Sequence, residues 1–193
     1  MLESLLVSTG VVALAEMGDK TQLLAFMLAA RFKRPLPIVA GIFVATLANH
    51  SLAGALGAWI MQSVDAQILR WVLGGSFLGM AAWTLIPDRI EKDEASAAQR
   101  LGVFGATLVT FFLAEMGDKT QLATVAMAAR FPSPLLVVAG TTLGMLIADV
   151  PAVFAGEKLA ARIPMKAVHI AAAALFAALG IATLLGVGAR LGL

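Results

Sequence analysis

One ten-residue segment occurs twice in this chain without a single change. Leu14-Ala-Glu-Met-Gly-Asp-Lys-Thr-Gln-Leu23 returns as Leu113 to Leu122, an offset of 99. At the same offset Ala29–Phe32 matches Ala128–Phe131, Pro35-Leu36 matches Pro134-Leu135, and Val39–Gly41 matches Val138–Gly140. From 14 to 41, 19 of 28 positions are identical, so the chain is an internal duplication. Whatever one half folds into, the other must fold into as well, and the two must pack together.

The setting of the repeat is apolar. Of 193 residues, 60% are hydrophobic and 13% charged, and mean hydropathy is +0.91. A soluble domain carries about twice that charge fraction. Runs free of Asp, Glu, Lys and Arg cover 35–64, 71–87, 131–148 and 167–189. A helix needs about 20 apolar residues to cross a bilayer, and only helices or closed barrels satisfy their backbone in lipid. Strict alternation is missing, which excludes a barrel pattern. The N-terminus lacks the basic start of a cleaved signal, since Glu3 precedes the apolar stretch. The net charge of +2 is too small to point to nucleic acid, and without cysteine there is neither a disulfide nor a thiolate site.

The expected fold is therefore an all-α polytopic membrane protein. Six transmembrane helices are predicted, roughly 4–31, 35–62, 66–87, 101–130, 134–158 and 166–190. The polar segment 88–100 reads as a linker between a first three-helix repeat, 1–87, and a second, 101–193. Three helices per half is an odd number, so the second repeat enters the membrane inverted. Inverted repeats are a transporter signature, with the site at mid-membrane where the halves meet. Lys and Arg set the orientation. One side carries Arg31, Lys33, Arg34, Arg89, Lys92, Arg100, Lys158, Arg162 and Lys166, and the other Arg70, Arg130 and Arg190. The basic side is expected to be cytoplasmic, with the linker there and both termini outside.

Six charges fall in the middle of predicted spans: Glu16, Asp19, Lys20, Glu115, Asp118 and Lys119. A charge at bilayer depth costs several kcal/mol unless it meets a partner or water. On a helical wheel Glu16, Asp19 and Lys20 share one sector, Gln22 borders it, and Thr21 points away unless the helix opens near Gly18. The same holds for Gln121, Thr120 and Gly117. If the halves converge, four carboxylates surround one ion. Hard oxygen donors suit Ca²⁺, Mn²⁺ or Mg²⁺, and the lack of thiolates speaks against copper and zinc. Two lysines leave a formal charge of −2, which suits one divalent ion or two protons. Carboxylates crowded together titrate as a set, so protons compete with the metal. A blander reading pairs Glu16 with Lys20 and Glu115 with Lys119 as i,i+4 ion pairs inside a packed core. It leaves the two aspartates without partners.

Further polar candidates lie on predicted helices 2 and 5. Asp149 is opposite His50 at the offset of 99. Asp149 is open to a proton-relay or metal role and equally to a helix–helix hydrogen bond. His50 is a possible proton carrier, though a helix–helix bond is the commoner use, and Asn49 reads as packing glue. Met17 and Met116 lie about 100° from the glutamates and read as packing. Gly54, Gly57, Gly140 and Gly144 read as close-packing positions. No Walker motif, nucleophile elbow or zinc-binding His pair is present, so no enzyme and no resident cofactor is expected.

The doubled Glu-x-Gly-Asp-Lys-(Ser/Thr), as Glu16–Thr21 and Glu115–Thr120, resembles the signature of one family. It is the Ca²⁺/Mn²⁺:H⁺ antiporter family of bacterial MneA-type manganese exporters and their Golgi and chloroplast relatives. The resemblance covers essentially the whole chain. It implies six or seven helices, proton antiport, Mn²⁺ or Ca²⁺ as the transported ion, and the motif Glu and Asp as metal ligands. The short chain looks like the bacterial branch, with manganese export across the plasma membrane as its expected role. The residues alone leave open another transported cation, such as Na⁺ or a basic amino acid, or a membrane scaffold that transports nothing.

Overall fold

In a computed structural model of the chain, residues 2–86, 101–155 and 165–186 are described. Among them the secondary structure is helical throughout, in eight helices. These are α1 (Leu2–Glu16), α2 (Lys20–Phe32), α3 (Pro35–Ser63), α4 (Ala66–Thr84), α5 (Gly102–Glu115), α6 (Lys119–Arg130), α7 (Pro134–Ala155) and α8 (Met165–Leu184). Segment 88–100 and the expected helix ends at 158 and 190 lie outside the described residues, as do Arg89, Lys92, Arg100, Lys158, Arg162 and Arg190.

Two of the six expected helices are not continuous. The first, 4–31, is broken between Glu16 and Lys20, and the fourth, 101–130, between Glu115 and Lys119. The remaining boundaries fall close to those expected. Among the described residues, three helices are long and apolar enough to cross a membrane by themselves, within α3, α7 and α8. At about 1.5 Å per residue, the 29 residues of α3 extend roughly 43 Å, beyond the ~30 Å of a hydrocarbon core.

Polarity is distributed inside out. Ser4, Ser8, Thr46, Thr107, Thr110, Thr141 and Thr142 are buried, while Leu36, Leu52, Trp59, Trp71, Leu135, Phe154 and Ile170 are exposed. Lipid solvates such a surface, and water does not. On α1 the buried residues before Glu16 are Ser4, Ser8, Val11, Val12 and Ala15, a stripe at helical spacing made of small or β-branched side chains. That narrow stripe lets α7 lie close against α1. Lipid offers no hydrophobic drive between helices, so close van der Waals contact at small residues holds them together.

Glycines mark those contacts, and the contacts come in pairs. A Cβ on Gly140 of α7 would stand 2.5 Å from the Leu5 carbonyl oxygen and 2.9 Å from Ser8 Cβ of α1. A Cβ on Gly41 of α3 would stand 3.0 Å from the Phe104 carbonyl oxygen and 2.7 Å from Thr107 Cβ of α5. Each of the three residues in the second contact is the 99-residue counterpart of one in the first. The long helix of each half thus packs on the opening helix of the other. Gly144 meets Thr9 and Ala13 on α1, Gly57 meets Val125 and Ala128 on α6, and Gly54 meets Val138 on α7. The expected packing role of Gly54, Gly57, Gly140 and Gly144 is what these approaches describe.

Candidate metal centre

Both breaks have the same local cause. Gly18 has φ +81° and Gly117 φ +79°, left-handed values that glycine adopts without a Cβ clash. The following aspartate is extended, at φ −81°, ψ 171° for Asp19 and φ −80°, ψ 167° for Asp118, and each stands as the N-cap of the next helix. A glycine that ends one helix followed by an aspartate that starts another is a stop–start pair. Side chains then latch the break. Gly18 N–H donates to Gln22 Oε1 at 3.0 Å, and Gly117 N–H to Gln121 Oε1 at 2.7 Å. The Thr21 hydroxyl donates to Glu16 Oε2 at 2.6 Å, and the Thr120 hydroxyl to Glu115 Oε2 at 2.9 Å. Opening near Gly18 and Gly117 is what brings both threonines to the glutamates.

The two breaks face each other. Lys119 Nζ lies 2.9 Å from Asp19 Oδ2, and Lys20 Nζ lies 3.4 Å from Asp118 Oδ1. Each lysine thus pairs with the aspartate of the other half, and the i,i+4 reading is replaced by cross-half pairs. The glutamines cross over in the same manner. Gln22 Nε2 donates to the Ala148 carbonyl of α7 at 2.9 Å, and Gln121 Nε2 donates to Asn49 Oδ1 of α3. Asn49 also donates from Nδ2 to the Phe112 carbonyl at 3.4 Å, in keeping with a packing role. Residues 49 and 148 are again counterparts.

Glu16, Asp19, Glu115 and Asp118 are all buried. Glu16, Asp19 and Asp118 each offer an oxygen, and these three oxygens lie within 4.8 Å of one another. Two oxygens on opposite sides of one Ca²⁺ stand about 4.6–5.2 Å apart, so the spacing suits a shared cation. Glu115 is outside that trio, although Glu16 and Glu115 influence each other electrostatically. Among the described residues, Glu16 Oε1, Glu115 Oε1 and Asp118 Oδ2 have no hydrogen-bond partner.

The remaining candidates divide. Lys119 is buried, while Lys20 reaches the protein surface. Met116 is exposed and turned away from the acids, and Met17 is half-buried. Asp149 on α7 and His50 on α3 are fully buried, with none of their side-chain polar atoms hydrogen-bonded among the described residues. The helix–helix hydrogen bond considered for each is therefore not observed there. Buried hydroxyls of Ser8, Thr46 and Thr142 likewise have no hydrogen-bond partner among the described residues. Nothing in the sequence set these three apart from many other Ser and Thr residues.

Comparison with known proteins gives this geometry a family. Residues 4–92 and, separately, residues 103–190 match the family described as divalent cation/proton antiporter GDT1. The chain belongs to the GDT1 family. A GDT1 protein is a transporter and not an enzyme, and its metal ion is cargo rather than a cofactor. Over 184 residues the chain is 46% identical to a Vibrio cholerae protein named "Putative manganese exporter", covering 95% of this chain and 91% of that one. It is 31% identical over 185 residues to a GDT1-like protein of Synechocystis, with 86% and 88% covered. It is 30% identical over 206 residues to the chloroplastic PAM71-homolog of Arabidopsis thaliana, covering 90% of this chain and 56% of that longer protein. No solved structure matches the chain. This GDT1 protein is thus a multi-pass helical membrane protein that exchanges divalent cations for protons.

Proposed function

We propose that this GDT1 protein exports Mn²⁺, with Ca²⁺ as a second substrate, and that Glu16, Asp19, Glu115 and Asp118 hold the ion. The observation that carries the reading is the crossed pairing of the two broken helices. Lys20 meets Asp118, Lys119 meets Asp19, and oxygens of Glu16, Asp19 and Asp118 gather between them. The preference for Mn²⁺ is supported by the name of the Vibrio cholerae relative.

The six spans are α1–α2, α3, α4, α5–α6, α7 and α8, arranged as two inverted repeats, 1–87 and 101–193, joined by 88–100. Support comes from the exchanged contacts at the offset of 99 and from the separate family match of each half. Both termini face outward and the linker faces the cytoplasm of a bacterium, by the distribution of Lys and Arg. Discontinuous helices at a repeat interface are how transporters place charged ends at mid-membrane.

In operation, a divalent ion entering from the cytoplasm takes up the negative charge that the lysines leave unbalanced. Rocking one repeat against the other exposes the ion outside, where protons displace it and return on the carboxylates. Thr21 and Thr120 orient the glutamates by one hydrogen bond each, and Gln22 and Gln121 hold the breaks open.

The test is transport by purified protein in liposomes under a pH gradient. Proton movement dependent on Mn²⁺ or Ca²⁺ is expected, with loss of at least about 100-fold in Glu16→Gln and in Asp118→Asn, since a buried ligand charge cannot be supplied by water. Proton movement driven by Na⁺ or lysine and indifferent to Mn²⁺ would replace this reading with a transporter of another cation. No flux of any ion in folded wild-type protein would leave a scaffold.

A further inference from the structure

The two halves share the broken-helix motif, and among the buried positions where they differ is one pair on α3 and α7 that carries ionisable side chains. Residues 49–50 read Asn-His where residues 148–149 read Ala-Asp. Gln22, whose side-chain oxygen holds the Gly18 N–H, donates to the Ala148 carbonyl. The first break is thereby tied to the turn of α7 that carries Asp149. Asp149 is fully buried, and neither carboxylate oxygen has a donor among the described residues. A negative charge on it would be repelled by those of Asp19, Glu16 and Glu115. An unpartnered carboxylate set among other carboxylates destabilises a packed helix bundle unless a cation or a proton joins it.

Ligand number points the same way. Glu16, Asp19 and Asp118 bring three acidic oxygens together. A hard divalent ion takes six or more oxygen ligands. Asp149 is not one of that trio, but both its buried oxygens are without a hydrogen-bond donor among the described residues, whereas His50, its counterpart, brings no acid.

We propose that Asp149 is a further cation-binding carboxylate of the central site, supplied by the second half alone, so that the site is chemically one-sided. The proposal rests on the motif site described above and adds a group to it. The bound ion meets acids from both broken helices and one more acid from α7, with no equivalent acid on α3. Asp149 is then a specificity-determining ligand, because its reach sets how many oxygens the ion gathers.

Calorimetric titration of the purified full chain with MnCl₂ and with CaCl₂, at one pH, tests this beside Glu16→Gln. Folding is checked by elution profile and unfolding temperature. Asp149→Asn is expected to weaken Mn²⁺ binding by at least about tenfold while still folding. Wild-type affinity in folded Asp149→Asn overturns the proposal, and loss of binding in Glu16→Gln at the same time leaves the motif site standing. Wild-type affinity in both variants overturns both. Should Asp149→Asn not fold, Asp149→Glu decides. A ligand lengthened by one methylene is expected to change the ratio of Mn²⁺ to Ca²⁺ affinity several-fold, because selectivity follows cavity size and ligand number. An unchanged ratio overturns the proposal.

Discussion

Lys20 and Lys119 are the same residue in two copies of one sequence, yet their surroundings differ. The Lys119 side chain is 2% exposed and pairs with Asp19 at 2.9 Å, whereas Lys20 is 26% exposed and pairs with Asp118 at 3.4 Å. Removing one member of a buried pair costs about 3–5 kcal/mol, because the remaining charge stays behind in a poor solvent. Lys20→Met would likewise leave a buried carboxylate, Asp118, but Lys20 itself is partly reached by water, which weakens its pairing and lessens what its removal costs. Lys119→Met is therefore expected to lower the unfolding temperature in detergent clearly more than Lys20→Met does. Equal shifts would show that the two pairs are equivalent in the protein. At this scale the sequence was legible as to which charged residues lie within apolar segments and silent as to which meet. The charged residues stood out because charge inside an apolar run is costly. Their partners did not, because Glu16 and Lys20 are neighbours along a helix, while Lys20 and Asp118 become neighbours only once the two halves have folded together.

Helices raise a different question, which is how six expected helices become eight among the described residues. Helix limits that fall within the described residues were legible to within a few residues, since charge-free runs and prolines such as Pro35 and Pro134 mark the ends. The breaks were not. A lone glycine costs about 1 kcal/mol in a helix and is often carried within one. What accompanies the break at Gly18 and Gly117 is an extended aspartate in the N-cap position of the next helix, whose side chain accepts a backbone N–H at Asp19 but not at Asp118, together with the glutamine four residues on that takes up the glycine N–H. That combination is readable in hindsight as a stop followed by a start. Between elements, contact at glycine decides stability. Gly140→Ala would drive a methyl group against the Leu5 carbonyl oxygen, which is backbone and cannot rotate away. A loss of about 1–3 kcal/mol is expected. Gly75→Ala on the exposed face of α4 meets nothing within 4 Å and is expected to stabilise by up to about 1 kcal/mol through helix propensity. Thermal unfolding of the two variants checks the contrast, and a neutral Gly140→Ala would show that α1 and α7 are not held by that approach.

Over the whole molecule, duplication turns a costly arrangement into a useful one. One half alone would bury Glu16 and Asp19 with Lys20 pointing toward an absent partner. Two halves supply each other's counter-charges, as the crossed Lys–Asp pairs record, and leave carboxylate oxygens over. In the proposed site, the excess acid between the halves is what would give a divalent ion, or the protons that replace it, a reason to enter. A cation site of this kind belongs to both halves at once and to neither alone. The most direct measurement is the number of Mn²⁺ ions bound per chain, read by electron paramagnetic resonance on the purified protein, for wild type, Glu16→Gln and Asp118→Asn. One ion is expected for wild type, and its loss is expected in each variant, whichever half carries the change. Two ions in wild type, with one retained in each variant, would contradict a shared site and leave two independent ones.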